Sequence, residues 1–352
     1  MRSSSRLVLF GALFVALTTG GALWALSRAP VRASDLYDVF AKQPAGVLVA
    51  IAVSCVAIYV TDILRYRSLG RAVGTHVDWK AGLDSSVANF LFSWVFPGST
   101  FGAPATIYML GRRNVPWDAA VVIAFGKAFT GVAVVVITSL IFVAFGLGPA
   151  YDGAVVGILL FGGSVFSLLF GWLIAAAFRP EPARNVVRRI FKRLAGKRGP
   201  GKILTSGERV TLQSIDRLVL LRTGGVRPLI HLAATHLLYF TAFGTLGVAM
   251  IYALGGEIGL RSFAAVIVYL MFTYLSPTPG GAGFAEAMAI PFFGPLLPPD
   301  KAVMFVLCFR GLALYLQVGI GVPYLLFAGG MREIVGRAAQ SPQTPPAPHT
   351  HE

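Results

Sequence analysis

The chain has 352 residues, 56% of them hydrophobic and only 13% charged, with 30 Lys or Arg against 15 Asp or Glu for a formal net charge of +15. A water-soluble globule cannot hide so much apolar surface, and several segments exceed the roughly 20 apolar residues that cross a bilayer. The cations therefore carry topology information, and no nucleic-acid partner is expected.

The first apolar segment, Leu7 to Leu26, follows Arg2 and Arg6 and is longer than the apolar core of a signal peptide, so it is expected to remain as a first spanning helix. Further full spans are expected at Ala45 to Leu64, Ala119 to Phe145, Gly153 to Phe178, Leu229 to Leu254 and Ala302 to Phe327, giving six crossings. Two other apolar runs, Ala81 to Leu110 and Ser262 to Leu297, are interrupted by Pro and Gly. Their halves are only about 10–16 residues long, too short to span, so each is expected to enter and leave on one face as a re-entrant broken helix. The fold class is thus an all-α polytopic membrane protein. Cys55 and Cys308 lie in apolar spans outside any ligand-spaced cluster and are read as small buried side chains.

Charge divides the chain. From Arg179 to Arg227 thirteen Lys or Arg face only Glu181, Glu208 and Asp216, which assigns residues 179–228 to the cytoplasm. Arg65, Arg67, Arg71, Lys80, Arg112 and Arg113, with Arg332 and Arg337 of the tail, fall on the same side if both termini are cytoplasmic. The expected organisation is a membrane half at 1–178, the basic segment at 179–228, a second membrane half at 229–330 and a Pro-rich, disordered tail at 331–352. Three crossings separate the two broken segments, so the halves are expected to be inverted repeats, the arrangement that underlies alternating access. Within the basic segment, Val186, Val187, Ile190, Phe191 and Leu194 recur at helical spacing, with Arg184, Arg188, Arg189, Lys192 and Arg193 elsewhere around the helix. This helix is expected to lie on anionic lipid headgroups of the cytoplasmic leaflet. A second amphipathic stretch, Glu208 to Leu221, follows the turn at Gly199 to Gly201.

The two breaks share their chemistry. Val95-Phe96-Pro97-Gly98-Ser99-Thr100-Phe101-Gly102-Ala103-Pro104 is followed 30 positions after Pro97 by Lys127, and Ser276-Pro277-Thr278-Pro279-Gly280-Gly281-Ala282-Gly283-Phe284-Ala285-Glu286 is followed 31 positions after Pro279 by Arg310. Backbone polar groups freed at a break must be satisfied by protein, water or ligand. The N–H groups of the short helices after each turn are candidates to meet an anion such as a phosphodiester. Lys127 and Arg310 are each the ninth residue of their expected span, about 13 Å deep, where a charge demands a partner. Glu286 is the expected partner of Arg310. Lys127 has only Asp62 and Asp84, both expected at segment ends, so an anionic headgroup is the expected occupant beside it. Asn89, Pro97, Gly98, Lys127, Pro279, Gly280, Gly281, Gly283, Glu286 and Arg310 form the candidate substrate-binding set. His231 and His236 are five apart and share no helical face, so no metal is expected, and no catalytic constellation or cofactor-binding motif is visible.

The stretch Pro277-Thr278-Pro279-Gly280-Gly281-Ala282-Gly283-Phe284-Ala285-Glu286-Ala287 resembles the Pro-Thr-Pro-Gly-Gly-x-Gly-x-x-Glu-Ala signature of the flippase-like membrane-domain family. That family includes the transmembrane region of lysylphosphatidylglycerol synthases and stand-alone relatives. Phe309-Arg310-Gly311 is similar to its arginine-bearing helix. Asn89, Phe96-Pro97-Gly98, Tyr108-Met109-Leu110-Gly111-Arg112 and Lys127 resemble its first-half pattern. Ala103 stands where an acid is common, and Ser99-Thr100-Phe101 replaces a glycine-rich run. The resemblance implies a multi-pass protein of the bacterial inner membrane that moves an anionic phospholipid or lipid-linked headgroup between leaflets. The rival expectation is a non-transporting membrane scaffold or partner subunit for a separate lipid-modifying enzyme, and the expected protein partner is such an enzyme or a second copy of the chain. The chain ends soon after its last expected span, so lysyl transfer by this chain alone is not expected.

Overall fold

The computed structural model describes residues 37, 39–95, 102–148, 153–195, 201–223, 226–275, 283–315, 319–321, 323 and 324. The described residues form helices and connecting turns, without a strand. In chain order the helices are α1 (Ala45–Ala72), α2 (Trp79–Val95), α3 (Gly102–Arg112), α4 (Trp117–Ala144), α5 (Gly153–Phe178), α6 (Pro180–Ala195), α7 (Lys202–Thr223), α8 (Val226–Ala253), α9 (Leu260–Leu275), α10 (Phe284–Ala287), α11 (Ala289–Phe293) and α12 (Pro299–Arg310), the last running into a π turn at Gly311–Tyr315. Among the described residues, α1, α4 and α8 are long and apolar enough to cross a membrane. Helix α5 has 26 residues and no charged side chain. The expected span at Leu7 to Leu26, the tail from 331 and both break loops at their centres lie outside the described residues.

The principal departure from the sequence reading is the length of α1. It runs eight residues past Leu64, to Ala72, so Asp62 and Arg65 belong to the helix interior. It stops at a left-handed turn in which Gly74 has φ 71°. Thr75 N–H donates to the Gly70 carbonyl at 2.8 Å and Gly74 N–H to the Arg71 carbonyl at 3.2 Å, satisfying carbonyls that the helix end would leave open. Helix α3 ends the same way at Asn114, φ 60°, where Val115 N–H reaches the Leu110 carbonyl at 3.1 Å.

Helices α1 and α8 form the principal packed pair, with α2, α4 and α9 laid against them. The crossing of α8 and α9 depends on small residues: a Cβ on Gly244 would stand 2.2 Å from the Phe263 ring, and one on Gly247 would stand 2.4 Å from Val266. The largest core joins α8, α9, α11 and α12 through Tyr269, Phe272, Phe292, Phe293, Phe305 and Phe309, all buried. Phe293 and Phe305 approach to 4.2 Å between ring centroids. A separate small cluster ties the broken pair α2 and α3 together through Val87, Ala88, Leu91 and Met109, with Tyr324 from near the end of the chain packed against it.

The basic segment folds as a helical pair at one end of this bundle. Helix α7 reaches across the end of α1 and the start of α4: the Arg217 guanidinium pairs with Asp118 at 2.7 Å and donates to the Val73 carbonyl at 3.0 Å. Helix α6 packs on α7 and on the end of α5 through Ala183 and Val187, which meet Ala176 and Ile215.

Candidate functional site

Four helices bring a polar cluster into the bundle interior. Helix α1 supplies Asp62, Arg65 and Tyr66, whose i, i+3 and i+4 spacing puts them on one face. Helix α4 adds Lys127 and Thr130, α2 adds Asn89, and α8 adds His236 and Tyr239. The Lys127 ammonium donates to both Asp62 oxygens at 2.9 and 3.0 Å, to the Tyr66 hydroxyl at 2.8 Å and to Asn89 Oδ1 at 3.2 Å. Arg65 donates to Asp62 Oδ1 at 2.9 Å and to the Lys127 carbonyl at 3.4 Å, and its guanidinium carbon lies 4.1 Å from the centroid of the Tyr239 ring. His236 bridges α8 to α4, with Nδ1 2.8 Å from the Leu232 carbonyl oxygen and Nε2 2.9 Å from Thr130 Oγ1.

Burial makes the charge count decisive. Asp62 and Tyr66 are fully buried, Arg65 is 4% exposed and Lys127 5%. Among the described residues Asp62 is the one carboxylate paired with these cations, so with the imidazole neutral the cluster holds two positive charges against one negative. Among the described residues, Arg65 Nε has no hydrogen-bond partner. An uncompensated charge at such a position is expensive, and a buried donor without an acceptor adds to the deficit.

This geometry corrects the expected counter-ion vacancy at Lys127. Its ammonium is held by Asp62, which the extension of α1 carries into the interior. The unmatched positive charge belongs to the Arg65 and Lys127 pair together. Asp84 is equally not a partner of Lys127. Its carboxylate takes the Arg113 guanidinium at 2.5 Å and the Tyr324 hydroxyl at 2.6 Å, linking α2 to the end of α3 and to the chain's last described residue.

At the first break, Pro97 and Gly98 lie outside the described residues. The far side of the break is described: α3 begins at Gly102, pressed so tightly on α2 that a Cβ there would lie 2.0 Å from Ser93 Oγ and 2.8 Å from Asn89 Nδ2. Gly102 thus lets the second half of the broken helix fold back onto the residue that bonds Lys127. At the second break, Pro279, Gly280 and Gly281 are outside the described residues, while Gly283 is present with φ 79°.

Arg310 and Glu286 meet as expected, at 2.7 Å, with Arg310 buried and Glu286 about a quarter exposed. Arg310 is the last residue of α12, at the point where the α-helix widens into the π turn, a local irregularity common where a side chain is placed for function. The expectation that N–H groups after the second break stand open to an anion is corrected at Gly283. Its N–H is taken by Glu286 Oε2 at 2.7 Å, an internal cap three residues on, while the other carboxylate oxygen holds Arg310.

The structure therefore brings Asn89 and Lys127 together with Asp62, Arg65, Tyr66 and His236, and separately joins Gly283, Glu286 and Arg310. Sequence reasoning missed Arg65 and Tyr66 and gave His236 no part in the site. His231 is exposed and His236 buried, in keeping with their failure to share a helix face. The available signal was the Asp62 and Arg65 pair at i, i+3 after an uninterrupted apolar run, which is how a helix neutralises charge as it continues through a core.

Residues 7–321 match the family described as the lysylphosphatidylglycerol synthase TM region. No curated protein matches the chain significantly. The match spans most of the sequence and both halves of the site, and the chain belongs to that family.

Proposed function

We propose that this member of the lysylphosphatidylglycerol synthase transmembrane-region family moves a lipid with an anionic headgroup between leaflets, without chemistry of its own. The observation that carries this reading is the surplus positive charge of the buried Asp62, Arg65 and Lys127 cluster. A phosphodiester brings one negative charge and several acceptor oxygens, enough to neutralise the surplus and to accept from Arg65 Nε, which has no acceptor among the described residues. The Glu286 and Arg310 pair beside the second break is the corresponding device of the other half. Its partly exposed carboxylate can release Arg310 to a passing phosphate. In this reading both termini and the basic segment are cytoplasmic, in the inner membrane of a bacterium, and the halves form an inverted repeat. Single cysteines at Gly98 and Gly281, in a background lacking Cys55 and Cys308, are then expected to react with impermeant reagent from opposite sides. Labelling of both from one side alone would contradict the inversion.

The alternative is a membrane scaffold for a separate lipid-modifying enzyme. What favours it is that Lys127 already spends its donors on Asp62, Tyr66 and Asn89. Proteoliposomes carrying fluorescent phosphatidylglycerol or phosphatidylcholine in one leaflet separate the two. A transporter is expected to expose the anionic lipid to an external quencher faster than protein-free vesicles do, and faster than the zwitterionic one. Equal rates with and without protein would leave the scaffold.

A further inference from the structure

The fold divides the apolar side chains of α6 between two environments. Ala183 and Val187 are buried against α5 and α7, with Phe191 packed beside them. Val186, Ile190 and Leu194, at i, i+4 and i+8, are exposed by 39%, 50% and 64%. These three make a continuous ridge on the neighbouring face of the helix. The cations divide in the same way. Arg184 pairs with Glu181 and Asp216, and together with Arg188 it faces Glu208 across a cavity of about 480 Å³ between α6 and α7. Arg189, Lys192 and Arg193 are exposed and, among the described residues, form no ion pair. On a helical wheel Arg189 and Arg193 border the exposed ridge on the side away from the buried residues.

From this division we infer that α6 is a membrane-surface anchor: Val186, Ile190 and Leu194 enter the headgroup boundary of an anionic leaflet while Arg189 and Arg193 beside them hold its phosphates. The occupant follows from continuity and charge. Helix α6 starts two residues after the 26-residue apolar α5, whose end Phe178 is itself 61% exposed, so the ridge emerges where the bundle leaves the hydrocarbon. A surface that is apolar along one line and cationic beside it matches the acyl boundary and phosphates of an anionic bilayer. The inner face of α6, already filled by α7, stays with the protein.

The test uses the full-length protein in nanodiscs of phosphatidylglycerol or phosphatidylcholine, with Cys55 and Cys308 replaced and an environment-sensitive fluorophore on a single cysteine at Ile190. The expected result is quenching by shallow brominated lipid in the anionic discs, weaker quenching in the zwitterionic ones, and little quenching by aqueous iodide. Exchange of Arg189 or Arg193 to Gln is expected to lower the docked-to-undocked ratio about fivefold for each charge at low salt, from about 1 kcal/mol per charge. Both exchanges are at exposed side chains, so size-exclusion elution is expected to match the parent. Loss of bromolipid quenching overturns the inference, whether with iodide access, the pattern of an aqueous ridge, or without it, the pattern of a protein-covered one, as does quenching equal in both lipids and unchanged by the two exchanges. None of these readouts involves lipid flux, so the anchor and the transport reading stand or fall separately.

Discussion

Asp62→Asn is expected to be among the most damaging single exchanges in the membrane-embedded bundle, lowering stability by about 3–5 kcal/mol, because it leaves two buried cations with no carboxylate. Lys127 would keep Tyr66 and Asn89 as acceptors, but neither carries charge. Arg65 would keep the Lys127 carbonyl and the Tyr239 face. Against a total stability of about 5–15 kcal/mol the loss is large, and it should appear as a lowered midpoint of thermal aggregation in detergent and a reduced monodisperse fraction. Combining Asp62→Asn with Lys127→Met returns the cluster to a single surplus cation. The double variant is therefore expected to recover part of the loss, with a coupling in the range of about 0.5–3 kcal/mol for residues in one network. Native stability in Asp62→Asn alone would mean that the carboxylate is not what holds Lys127 and Arg65 in the bundle.

The same residues show which parts of the molecule were legible in the sequence. Helices α4, α5 and α8 follow from apolar runs with no competing signal, and their described ends fall within three residues of the expected ones. The broken pairs were legible because Pro and Gly interrupt an otherwise apolar pattern, and the Glu286 and Arg310 pair because signature and span stand close in sequence. The end of α1 was not. Hydropathy counts Asp62 and Arg65 as polar and closes the span at Leu64, whereas the helix buries both by pairing them with each other and with a cation 65 residues from Asp62. A scale that scores residues singly cannot register a charge whose partner comes from another helix. The role of His236 was hidden for the same reason, since its contacts are to α4. The split face of α6 was invisible because periodicity reports that five apolar residues share a side, and only the packing of α7 decides which of them remain exposed.

If the surplus charge is what receives an anionic headgroup, removing either cation should reduce lipid selectivity while leaving a neutral, folded pair. Arg65→Met leaves Asp62 with Lys127, and Lys127→Met leaves Asp62 with Arg65, so neither variant strands a charge. Both are expected to insert and elute normally, Arg65→Met with the larger stability loss because it also gives up the Tyr239 contact. At an effective dielectric near 20, a unit charge about 4 Å from a phosphate contributes roughly 4 kcal/mol before desolvation, and if only a third survives, the effect is about tenfold. The measured quantity is the ratio of phosphatidylglycerol to phosphatidylcholine translocation in proteoliposomes, expected to fall by about tenfold in each neutral variant. Arg65→Lys keeps the charge but loses the planar fork, so it should retain a preference for the anionic lipid at reduced rate. Arg65→Met and Lys127→Met proteins that fold and still translocate with native selectivity would remove the cluster from the transport path and leave it as a structural ion network.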